Sequence, residues 1–404
     1  MEKTTSKKPL EGIRVIDLTR VLAGPFCTMI LKNLGAEVIK IERPPAGDEA
    51  RFIGPFFGEN GSKSAYFMSV NAGKKSLALH LGETKGKEIL TGLLRISDIL
   101  VENFRPGVFK RLGFSRRRIE EINPDLIYAA VSGFGHSGPD TQRPAFDMII
   151  QALSGIISIT GPEDGPQTRV GTSISDIVAG MFAAIGILSA LYRRSISRGG
   201  AMIDVAMLDS TVAILENAIV RYQAAGNVPG PIGTRHPSAT PFGSFKTRDS
   251  EIVITAWTDR FFADLCVLLG RPELKDDDRF KTNDLRTLNV KALTEIVNGV
   301  LATDTTEQWM KKLEKLDIPC AKVNTIEDLF RYDQIHERNM LVPVDGEEPF
   351  RIAGNPVKIV GVPDDGTAGP YPKPGEHTEA ILRDLLGYKS EDIERFRRDG
   401  IIGR

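Results

Sequence analysis

The chain has 404 residues, with 52 lysine and arginine residues against 53 aspartate and glutamate residues, and its formal net charge is −1. This balance gives no support to a protein that binds nucleic acid through bulk positive charge. The three cysteines and five histidines are scattered along the chain, which excludes a disulfide framework and the common spacings of metal ligands. We therefore expect a globular protein with no nucleic-acid partner and no metal site.

No segment predicts a membrane span or an export signal. The longest uncharged apolar stretch, residues 177–192, is shorter than the roughly 18 residues that a membrane span needs, and glycine and alanine dilute it. The N-terminal sequence MEKTTSKKPLEG is charged and lacks the apolar core of a signal peptide. We therefore expect a soluble, cytoplasmic protein in which residues 177–192 form part of a buried helix.

The first half of the chain alternates strand patterns with helix patterns. GIRVIDLT (residues 12–19) predicts a strand, GPFCTMILKNLGA a helix and EVIKIERP a second strand, which together make a βαβ unit. The alternation continues through KSLALHL, DILVENF and DLIYAAVSGFG. This pattern predicts an α/β fold in which a parallel sheet carries helices on both faces.

The pattern changes in the second half of the chain. Residues 177–194 and 208–226 predict two long helices, with the strand AMIDVAM between them. GNVPGPIGTRHPSATP is rich in glycine and proline and has no hydrophobic period, which indicates a loop or linker. FGSFKT and EIVITAW then predict a hairpin, and helices follow it. Residues from roughly 236 to 325 therefore predict a separate α+β domain.

A glycine-rich loop follows the predicted strand DLIYAAVS. Gly133, Gly135 and Gly138 match the GxGxxG pattern of dinucleotide-binding sites, but the next residues, PDTQRPAF, cannot open a long helix. The pattern also lies far from the first strand, which argues against a NAD or FAD site. We expect Gly135 and His136 to contribute instead to a ligand-binding loop at the carboxyl edge of the sheet.

Cationic residues follow two other predicted strands. Arg43 ends EVIKIERP, Arg105 follows DILVENF, and Lys110 and Arg111 come shortly after. Several cations near the carboxyl ends of strands suit a phosphorylated ligand. For any one of them, an ordinary solvated surface position is the more common explanation.

Two aspartates stand at the start of apolar helix patterns. Asp176 comes just before residues 177–194, at the predicted N-cap, and Asp147 begins DMIIQALSG. A capping role explains Asp176 completely, and for Asp147 a cap is favoured over an acid–base role. A cap carboxylate is also kept ionised by the helix dipole, and an ionised carboxylate can attack a thioester carbonyl as a nucleophile. The residues alone leave the capping and catalytic roles open.

Long segments in order along the chain resemble one family. They are KPLEGIRVIDLTRVLAGPFCTMILKNLGAEVIKIERPPAGDEAR, ILVENFRPGVFKRLGF, NPDLIYAAVSGFGHSGP, DGPQTRVGTSISDIVAGMFAAIGILSALYRR and PGEHTEAILRDLLG. Together they resemble the class III CoA-transferases, the family of formyl-CoA transferase, carnitine CoA-transferase and α-methylacyl-CoA racemase. The resemblance implies a Rossmann-like large domain (residues 1–225), a small α+β domain with linkers (226–330) and a C-terminal segment (331–404) that returns to the large domain.

The same resemblance implies an assembly and a set of substrates. Two subunits are expected to interlock as a homodimer, or as a heteromer with a related chain. Coenzyme A and acyl-CoA are expected as substrates, beside a carboxylate, and no tightly bound cofactor is implied. The CoA contacts implied by the matching motifs are Leu22, Ala23, Arg43, Asn103, Phe104, Arg105 and Arg111.

The resemblance gives Asp176 the role of nucleophile. It attacks the acyl-CoA thioester to form a mixed anhydride, and an aspartyl-CoA thioester follows. Ser175 stands where the family commonly has glycine, and Asp147 is a weaker candidate for a second catalytic role. The general pattern is most like the branch that moves CoA between succinyl-CoA and larger dicarboxylates. Arg235 and His236 are candidates to meet a second carboxylate, and solvent-facing positions in their loop explain them equally well.

Departures from the family pattern bear on the alternatives. The racemase branch has a histidine directly before its second-motif aspartate, and Phe146 stands there, which makes an acyl-CoA epimerase or isomerase the weaker hypothesis. The segment GPIGTRHPSATPFGSF lacks the glycine run of the formyl-CoA:oxalate branch, so oxalate is not the first choice of acceptor. A non-catalytic subunit should lack the nucleophile, and Asp176 argues against that hypothesis. The acceptor acid stays open.

Overall fold

A computed structural model of the chain describes residues 7–403. Residues 1–6, which carry half of the charged N-terminal stretch behind the expectation of no export signal, lie outside the described residues. The chain divides into two compact units. Unit 1 contains the chain up to Ile156, Arg169–Val220 and the chain from Asp333 onward. Unit 2 contains Ile157–Thr168, which the sequence analysis placed in the large domain, together with Arg221–Tyr332.

The strands are short, and those of the main sheet are rich in valine, isoleucine and leucine. In chain order they are β1 (Arg14–Asp17), β2 (Glu37–Glu42), β3 (Phe56–Phe57), β4 (Lys63–Ser64), β5 (Lys75–Ala78), β6 (Ile99–Glu102), β7 (Ile127–Ser132), β8 (Ala201–Ala206), β9 (Phe242–Lys246), β10 (Glu251–Thr255), β11 (Cys320–Lys322), β12 (Leu341–Pro343) and β13 (Arg351–Ala353).

The helices fill most of the connections, and side-chain caps open several of them, as where the Ser64 hydroxyl accepts a hydrogen bond from the Phe67 N–H. In chain order the α-helices are α1 (Ala23–Asn33), α2 (Ala65–Asn71), α3 (Thr84–Arg95), α4 (Val108–Arg111), α5 (Arg116–Ile122), α6 (Asp147–Ser154), α7 (Ile174–Ser197), α8 (Met207–Ala213), α9 (Asn217–Ala225), α10 (Asp259–Leu268), α11 (Asn283–Leu288), α12 (Val290–Leu301), α13 (Thr306–Glu314), α14 (Ile326–Leu329), α15 (Asp333–Glu337), α16 (Thr378–Leu386) and α17 (Ser390–Arg398). Short 3₁₀ turns lie at Glu49–Phe52, Glu59–Gly61, Ile157–Ile159 and Pro272–Lys275.

The main sheet of unit 1 confirms the predicted parallel α/β fold. Its strand order is β5-β2-β1-β6-β7-β8, and all neighbouring pairs in it are parallel. The chain builds outward from β1 through β2 to β5, and then continues on the other side of β1 with β6. Ligands of open parallel sheets bind in the crevice at such a switch point, outside the carboxyl ends of the strands. The residues that follow β1 and β6 are therefore expected to line a ligand site.

Both faces of this sheet are covered by apolar side chains. On one face Leu100 of β6 packs in a cluster with Leu93 of α3. On the other face Val101 shares a cluster with Leu31 of α1 and Ile187 of α7. Since the central strands β6 and β7 are buried on both faces, their sequences are largely apolar runs.

Helix α7 has the length and the apolar composition of a membrane span. The buried core helix of a globular protein meets the same criteria, and one face of α7 packs against α1 through alanines and Gly180. This packing agrees with the prediction of a buried helix on one face. The other face carries exposed apolar side chains, among them Ile185 and Tyr192.

Unit 2 contains the predicted hairpin, formed by β9 and β10, and β11 extends it to a three-stranded antiparallel sheet. Helices α10, α12 and α13 cover one side of it around Trp309 and Phe262. The predicted long helix over 208–226 is wrong in detail, because it breaks into α8 and α9 near Glu216, whose φ is 52°. The C-terminal helices α16 and α17 pack on unit 1.

Candidate active site

The crevice at the switch point holds a cavity of about 620 Å³. Its walls come from the carboxyl ends of β1, β2, β5 and β6 and from the loops that follow them. Arg43 and Phe104, both predicted ligand contacts, lie in the wall, as does His80, for which the sequence offered no signal. A cavity of this size is typical of small-molecule and cofactor sites.

Two arginines, Arg20 and Arg43, line this cavity. The Arg20 guanidinium lies 5.5 Å from the centroid of the Phe104 ring and forms an ion pair of 2.6 Å with Glu49. Arg105 and Arg111 follow β6 and are exposed. Exposed guanidinium groups near the carboxyl ends of strands can pair with phosphate oxygens without displacing a buried partner.

Asn103, which the sequence analysis gave as a CoA contact, binds the backbone of Arg20. Its Oδ1 accepts a hydrogen bond of 2.8 Å from the Arg20 N–H, and its Nδ2 donates one of 2.8 Å to the Arg20 carbonyl oxygen. Leu22 is the N-cap of α1 and Ala23 is its first residue. The residues that follow β1 and β6 are thus tied together across the switch point.

Asp176 lies in the first turn of α7, which begins at Ile174. The prediction that Asp176 is the N-cap is wrong, because Ser173 holds that position and Asp176 is the third helical residue. Burial, and then the nearby Asp147 carboxylate, raise the pKa of Asp176 to about 7. Burial therefore opposes the stabilisation of the ionised carboxylate that the sequence analysis expected from the helix dipole.

Asp147 connects α6 to the start of α7. The prediction that it caps α6 is wrong, because Phe146 is the N-cap and Asp147 is the first helical residue. Its Oδ1 accepts a hydrogen bond of 2.9 Å from the Ser175 N–H, and its Oδ2 accepts one of 2.7 Å from the Gln151 Nε2. The Asp147 carboxylate therefore fixes the backbone directly beside Asp176 and adds negative charge to its surroundings.

Tyr66 of α2 is a neighbour of this pair that the sequence analysis missed. Burial raises the pKa of the Tyr66 hydroxyl, and the charges of Asp176 and Asp147 raise it further. A phenol close to two carboxylates stays protonated and can donate a hydrogen bond. Only the fold brings α2 to this place, so no local pattern in SAYFMS indicates it.

The glycine-rich loop after β7 is braced by two hydrogen bonds. The Ser132 hydroxyl accepts one of 3.0 Å from the Gly135 N–H, and Asp204 of β8 accepts one of 2.9 Å from the His136 N–H. Gly135 has a φ of 79°, which favours glycine. Within residues 7–403, the buried Nε2 of His136 has no hydrogen-bond partner.

A buried carboxylate lies beneath the neighbouring strand end. Burial raises the pKa of Glu102 to about 7, and its oxygens accept hydrogen bonds from the Tyr128 hydroxyl at 2.8 Å and the Phe104 N–H at 2.6 Å. The turn that presents Phe104 to the cavity therefore rests on the Glu102 side chain.

Arg235 and His236 belong to unit 2. The Arg235 guanidinium forms an ion pair of 2.8 Å with Glu163. The His236 ring stacks on Phe242, and its Nδ1 accepts a hydrogen bond of 3.1 Å from the Ser238 N–H. Both side chains have local partners that hold the loop around them.

Among the residues that the structure describes, no group of three or more histidine, cysteine, aspartate or glutamate side chains is arranged to hold a metal ion. The Asp147 carboxylate accepts hydrogen bonds from a backbone N–H and a side-chain amide, and the Tyr66 phenol lies within electrostatic range of Asp147 and Asp176. Such groups suit proton and acyl transfer.

The chain is similar to known proteins over most of its length. The family model described as CoA-transferase family III matches residues 10–378. The chain is 43% identical over 389 residues to the acetyl-CoA:oxalate CoA-transferase of Acetobacter aceti, covering 95% of this chain and 98% of that protein. It is 38% identical over 398 residues to the succinyl-CoA:glutarate CoA-transferase of Mus musculus, covering 98% of this chain and 91% of that protein.

A solved structure has the same fold. The crystal structure of a CAIB/BAIF family protein from Brucella suis superimposes with a TM-score of 0.84 at 33% sequence identity, covering 94% of this chain and all of that chain. The family model, the relatives and the solved structure each span most of the sequence. Asp176 and the residues that line the strand-end cavity lie within residues 10–378, which the family model matches. The chain belongs to CoA-transferase family III and is a CoA-transferase.

Proposed function

We propose that the enzyme transfers CoA from succinyl-CoA to a dicarboxylate acceptor, with Asp176 as the nucleophile. The observation that carries the proposal is the position of the Asp176 carboxylate in the first turn of α7, where Asp147 binds the N–H of the neighbouring Ser175 and burial raises the pKa of Asp176. A desolvated carboxylate is a stronger nucleophile than a hydrated one, and the helix N-terminus offers N–H groups to a developing oxyanion.

The reaction then proceeds in four exchanges that need no net proton. The ionised Asp176 oxygen attacks the thioester carbonyl, forming a mixed anhydride and releasing CoA thiolate. The thiolate attacks the aspartyl carbonyl, giving an aspartyl-CoA thioester and the free donor acid. The acceptor carboxylate attacks that thioester and forms a second anhydride, and the thiolate released with it attacks the acceptor acyl carbon. Acyl-CoA leaves and the Asp176 carboxylate is restored.

We assign CoA to the cavity at the ends of β1, β2, β5 and β6. Arg43, Arg105 and Arg111 would pair with its phosphates, and Phe104 would line the cavity beside them. Leu22, Ala23, Gly135 and His136 would contact the part of the ligand nearer Asp176. CoA serves here as a substrate, and no tightly bound cofactor enters the proposal.

Relatives that act on glutarate and on oxalate are both similar to this chain, and both acids carry two carboxylates. We favour the longer acid, with Arg235 and His236 as candidates for its second carboxylate. Acetyl-CoA with oxalate is the second candidate pair, and the greater identity to the oxalate enzyme favours it.

An epimerase is the alternative reaction class. Its acid–base chemistry needs a titratable group directly before Asp147, and the side chain there is Phe146, which is 75% exposed. A phenyl ring cannot transfer a proton, so this position supports transfer of CoA over epimerisation.

The mass of the intact protein after incubation with succinyl-CoA tests the proposed chemistry. We expect the native chain to gain an adduct with the mass of CoA less water, and hydroxylamine to convert it to a hydroxamate on Asp176. The Asp176→Ala variant should gain neither, while the exposed Asp140→Ala control should behave as the native chain. Acetyl-CoA as donor, and oxalate, glutarate and mesaconate as acceptors, then decide the substrate pair. Lack of any adduct with all donors would overturn the covalent mechanism.

We also propose that two copies associate as an interlocked homodimer. Met181, Ile185, Tyr192 and Ile196 are each between 47% and 71% exposed, and their spacing places them along one side of α7. An apolar stripe of this length on a helix suits a protein partner. We expect Ile185→Lys with Tyr192→Lys to yield monomers in light scattering. A native chain that is itself monomeric would refute the proposal, and a heteromer would require a second related chain.

We place the enzyme in the cytoplasm. Cys27 and Cys266 are buried free thiols, and burial raises the pKa of Cys266 to about 11, which suits proteins of a reducing compartment. Fractionation of cells that express the full chain would test this assignment. Recovery of the chain with membranes would contradict it.

A further inference from the structure

The turn that follows β1 contains a strained residue. Val21 has a φ of 64°, in the left-handed region that β-branched residues rarely adopt. Such a conformation persists only where surrounding contacts hold it, and it is most often found where it serves a site. The turn lies at the switch point of the sheet, between the end of β1 and the first residue of α1, Ala23.

Asp48 holds Val21 from one side. Its Oδ1 accepts hydrogen bonds from the Val21 N–H at 3.0 Å and from the Ala50 N–H at 2.9 Å. Its Oδ2 lies 2.8 Å from the Lys40 Nζ, which also donates to the Thr19 carbonyl oxygen at 2.7 Å. The Asp48 and Lys40 side chains are both almost fully buried. The carboxylate therefore has one fixed position, and so does the N–H that it binds.

Asn103 holds the turn from the other side. Its amide makes the two hydrogen bonds of 2.8 Å with the backbone N–H and carbonyl of Arg20, the residue directly before Val21. Because Asn103 follows β6, this contact spans the switch point. Asp48 and Asn103 together fix two consecutive peptide units of the turn.

The turn leads into contact with the helix that carries Asp176. A Cβ atom on Gly180 of α7 would lie 2.6 Å from the Ala23 carbonyl oxygen, so the backbones of α1 and α7 touch at that point. Asp176 is four residues before Gly180 and therefore lies on the same side of α7, one turn nearer its start. Both helices run back from the carboxyl edge of the sheet, so the residues before Ala23 approach Asp176.

A second observation places the two groups near each other. The pKa of Tyr66 is raised by burial and by the charges of Asp176, Asp147 and Asp48. The Tyr66 hydroxyl is thus within electrostatic reach of both the nucleophile and one of the residues that hold the turn.

We infer that Asp48 and Asn103 are positioning residues: they keep Val21 in its strained conformation and thereby set the start of α1 against the helix of Asp176. The predicted effect of Asp48 and Asn103 on the reaction rate rests on the proposed function of Asp176. Their predicted effect on the conformation of the turn does not. It assigns the Asn103 amide to the backbone of Arg20, although the family resemblance implies a contact with CoA.

The test compares Asn103→Ala with Asn123→Ala. The Asn123 side chain also makes hydrogen bonds with backbone groups. It donates to the carbonyl oxygens of Leu94 and Ser97 and accepts from the Asp125 N–H, but it does so at the opposite, amino edge of the sheet. We expect a similar loss of Tm in both variants. At saturating succinyl-CoA, Asn103→Ala should slow adduct formation about tenfold or more, while Asn123→Ala should stay within about twofold of the native rate. An unchanged rate with a raised KM would make Asn103 a ligand contact and overturn the inference.

A second variant tests the strain directly. Glycine adopts the left-handed conformation without strain, so Val21→Gly removes the conformational strain at this position. The turn then has less tendency to change conformation when the Asn103 hydrogen bonds are lost. We therefore expect the double variant Val21→Gly with Asn103→Ala to recover several-fold of the rate that Asn103→Ala loses. If Asn103 bound the ligand directly, a change at Val21 could not replace its amide, so no recovery would count against the inference.

If the native chain forms no adduct, the proposed function fails but the inference about the turn is not affected. Amide hydrogen exchange then tests that inference directly. The Arg20 and Val21 amides should be protected in the native chain and exchange at least about tenfold faster in Asn103→Ala, because local opening exposes them. The Ala50 amide, which Asp48 also binds, serves as the internal reference. Unchanged exchange at Arg20 and Val21 would overturn the inference by itself.

Discussion

The pH dependence of adduct formation gives a quantitative test of the Asp176 environment. A rise of its pKa from 3.8 to about 7 corresponds to about 4 kcal/mol in favour of the neutral form, at about 1.4 kcal/mol per pH unit. Only the ionised form is a nucleophile, so about 90% of the enzyme is active at pH 8 and about 10% at pH 6. We expect the single-turnover rate with succinyl-CoA to fall about tenfold between these values.

Asp147→Asn separates the two causes of this shift. The amide keeps an oxygen for the Ser175 N–H but carries no charge, so the midpoint of the rate profile should move to lower pH while burial keeps it above the ordinary aspartate value. Asp140→Asn, an exposed change in the preceding loop, should leave the profile unchanged. The CoA phosphate titrates in the same way with the native chain, Asp147→Asn and Asp140→Asn, so it does not contribute to a difference between their rate profiles. A native midpoint below pH 5, or an Asp147→Asn profile that coincides with the native one, would refute the reasoning.

Three further outcomes follow from the same structure. Asp176→Asn should raise the free energy of unfolding in urea by up to about 4 kcal/mol at pH 8, where the folded chain carries the charge. The gain should fall below about 1 kcal/mol at pH 4, where the folded carboxyl is protonated and the unfolded one, with a pKa of 3.8, is only about 60% ionised. Equal gains would contradict the assigned cost of burial. Arg43→Ala should raise the KM for acyl-CoA about tenfold with an unchanged Tm, as removal of one charge-assisted hydrogen bond predicts, and an unchanged KM would remove Arg43 from the site. Gly180→Ala should lower the free energy of unfolding by about 1–3 kcal/mol, because the new Cβ would meet the Ala23 carbonyl oxygen. The control Gly299→Ala, which has open space around the new Cβ, should raise the free energy of unfolding by up to about 1 kcal/mol. Equal effects of the two substitutions would contradict the packing of α1 on α7.

The sheet is predictable from the sequence because parallel strands that are buried on both faces have a distinctive pattern. RVID and ILVE are largely apolar runs that end in one acidic residue, and helices of regular period separate them. The predicted position of Asp176 differs from the observed one by three residues. The error arises because aspartate is a strong N-cap former, and nothing in GTSISD distinguishes it from Ser173 as the cap.

The surroundings of Asp176 are beyond the reach of the sequence. Its raised pKa depends on Asp147, which is 29 residues earlier, and on burial that only tertiary packing creates. Tyr66 reaches the same site from α2, and Asp48 holds a turn that precedes it by 27 residues. Local patterns predict elements, while contacts across such separations follow from the order of the strands.

The raised pKa of Asp176 serves the proposed chemistry even though it leaves about half of the enzyme protonated at pH 7. Attack on a thioester exchanges a carboxylate for a thiolate, and an ordinary thiol has a pKa of about 8.5, more than four units above an ordinary aspartate. A carboxylate with a pKa of about 7 closes about three of those units, which makes anhydride formation less unfavourable by up to about 4 kcal/mol. The loss of half the active form costs only about 0.4 kcal/mol at pH 7. Because the first effect is much larger than the second, burial of Asp176 beside a second carboxylate favours the transfer reaction at neutral pH, at the expense of the stability of the fold.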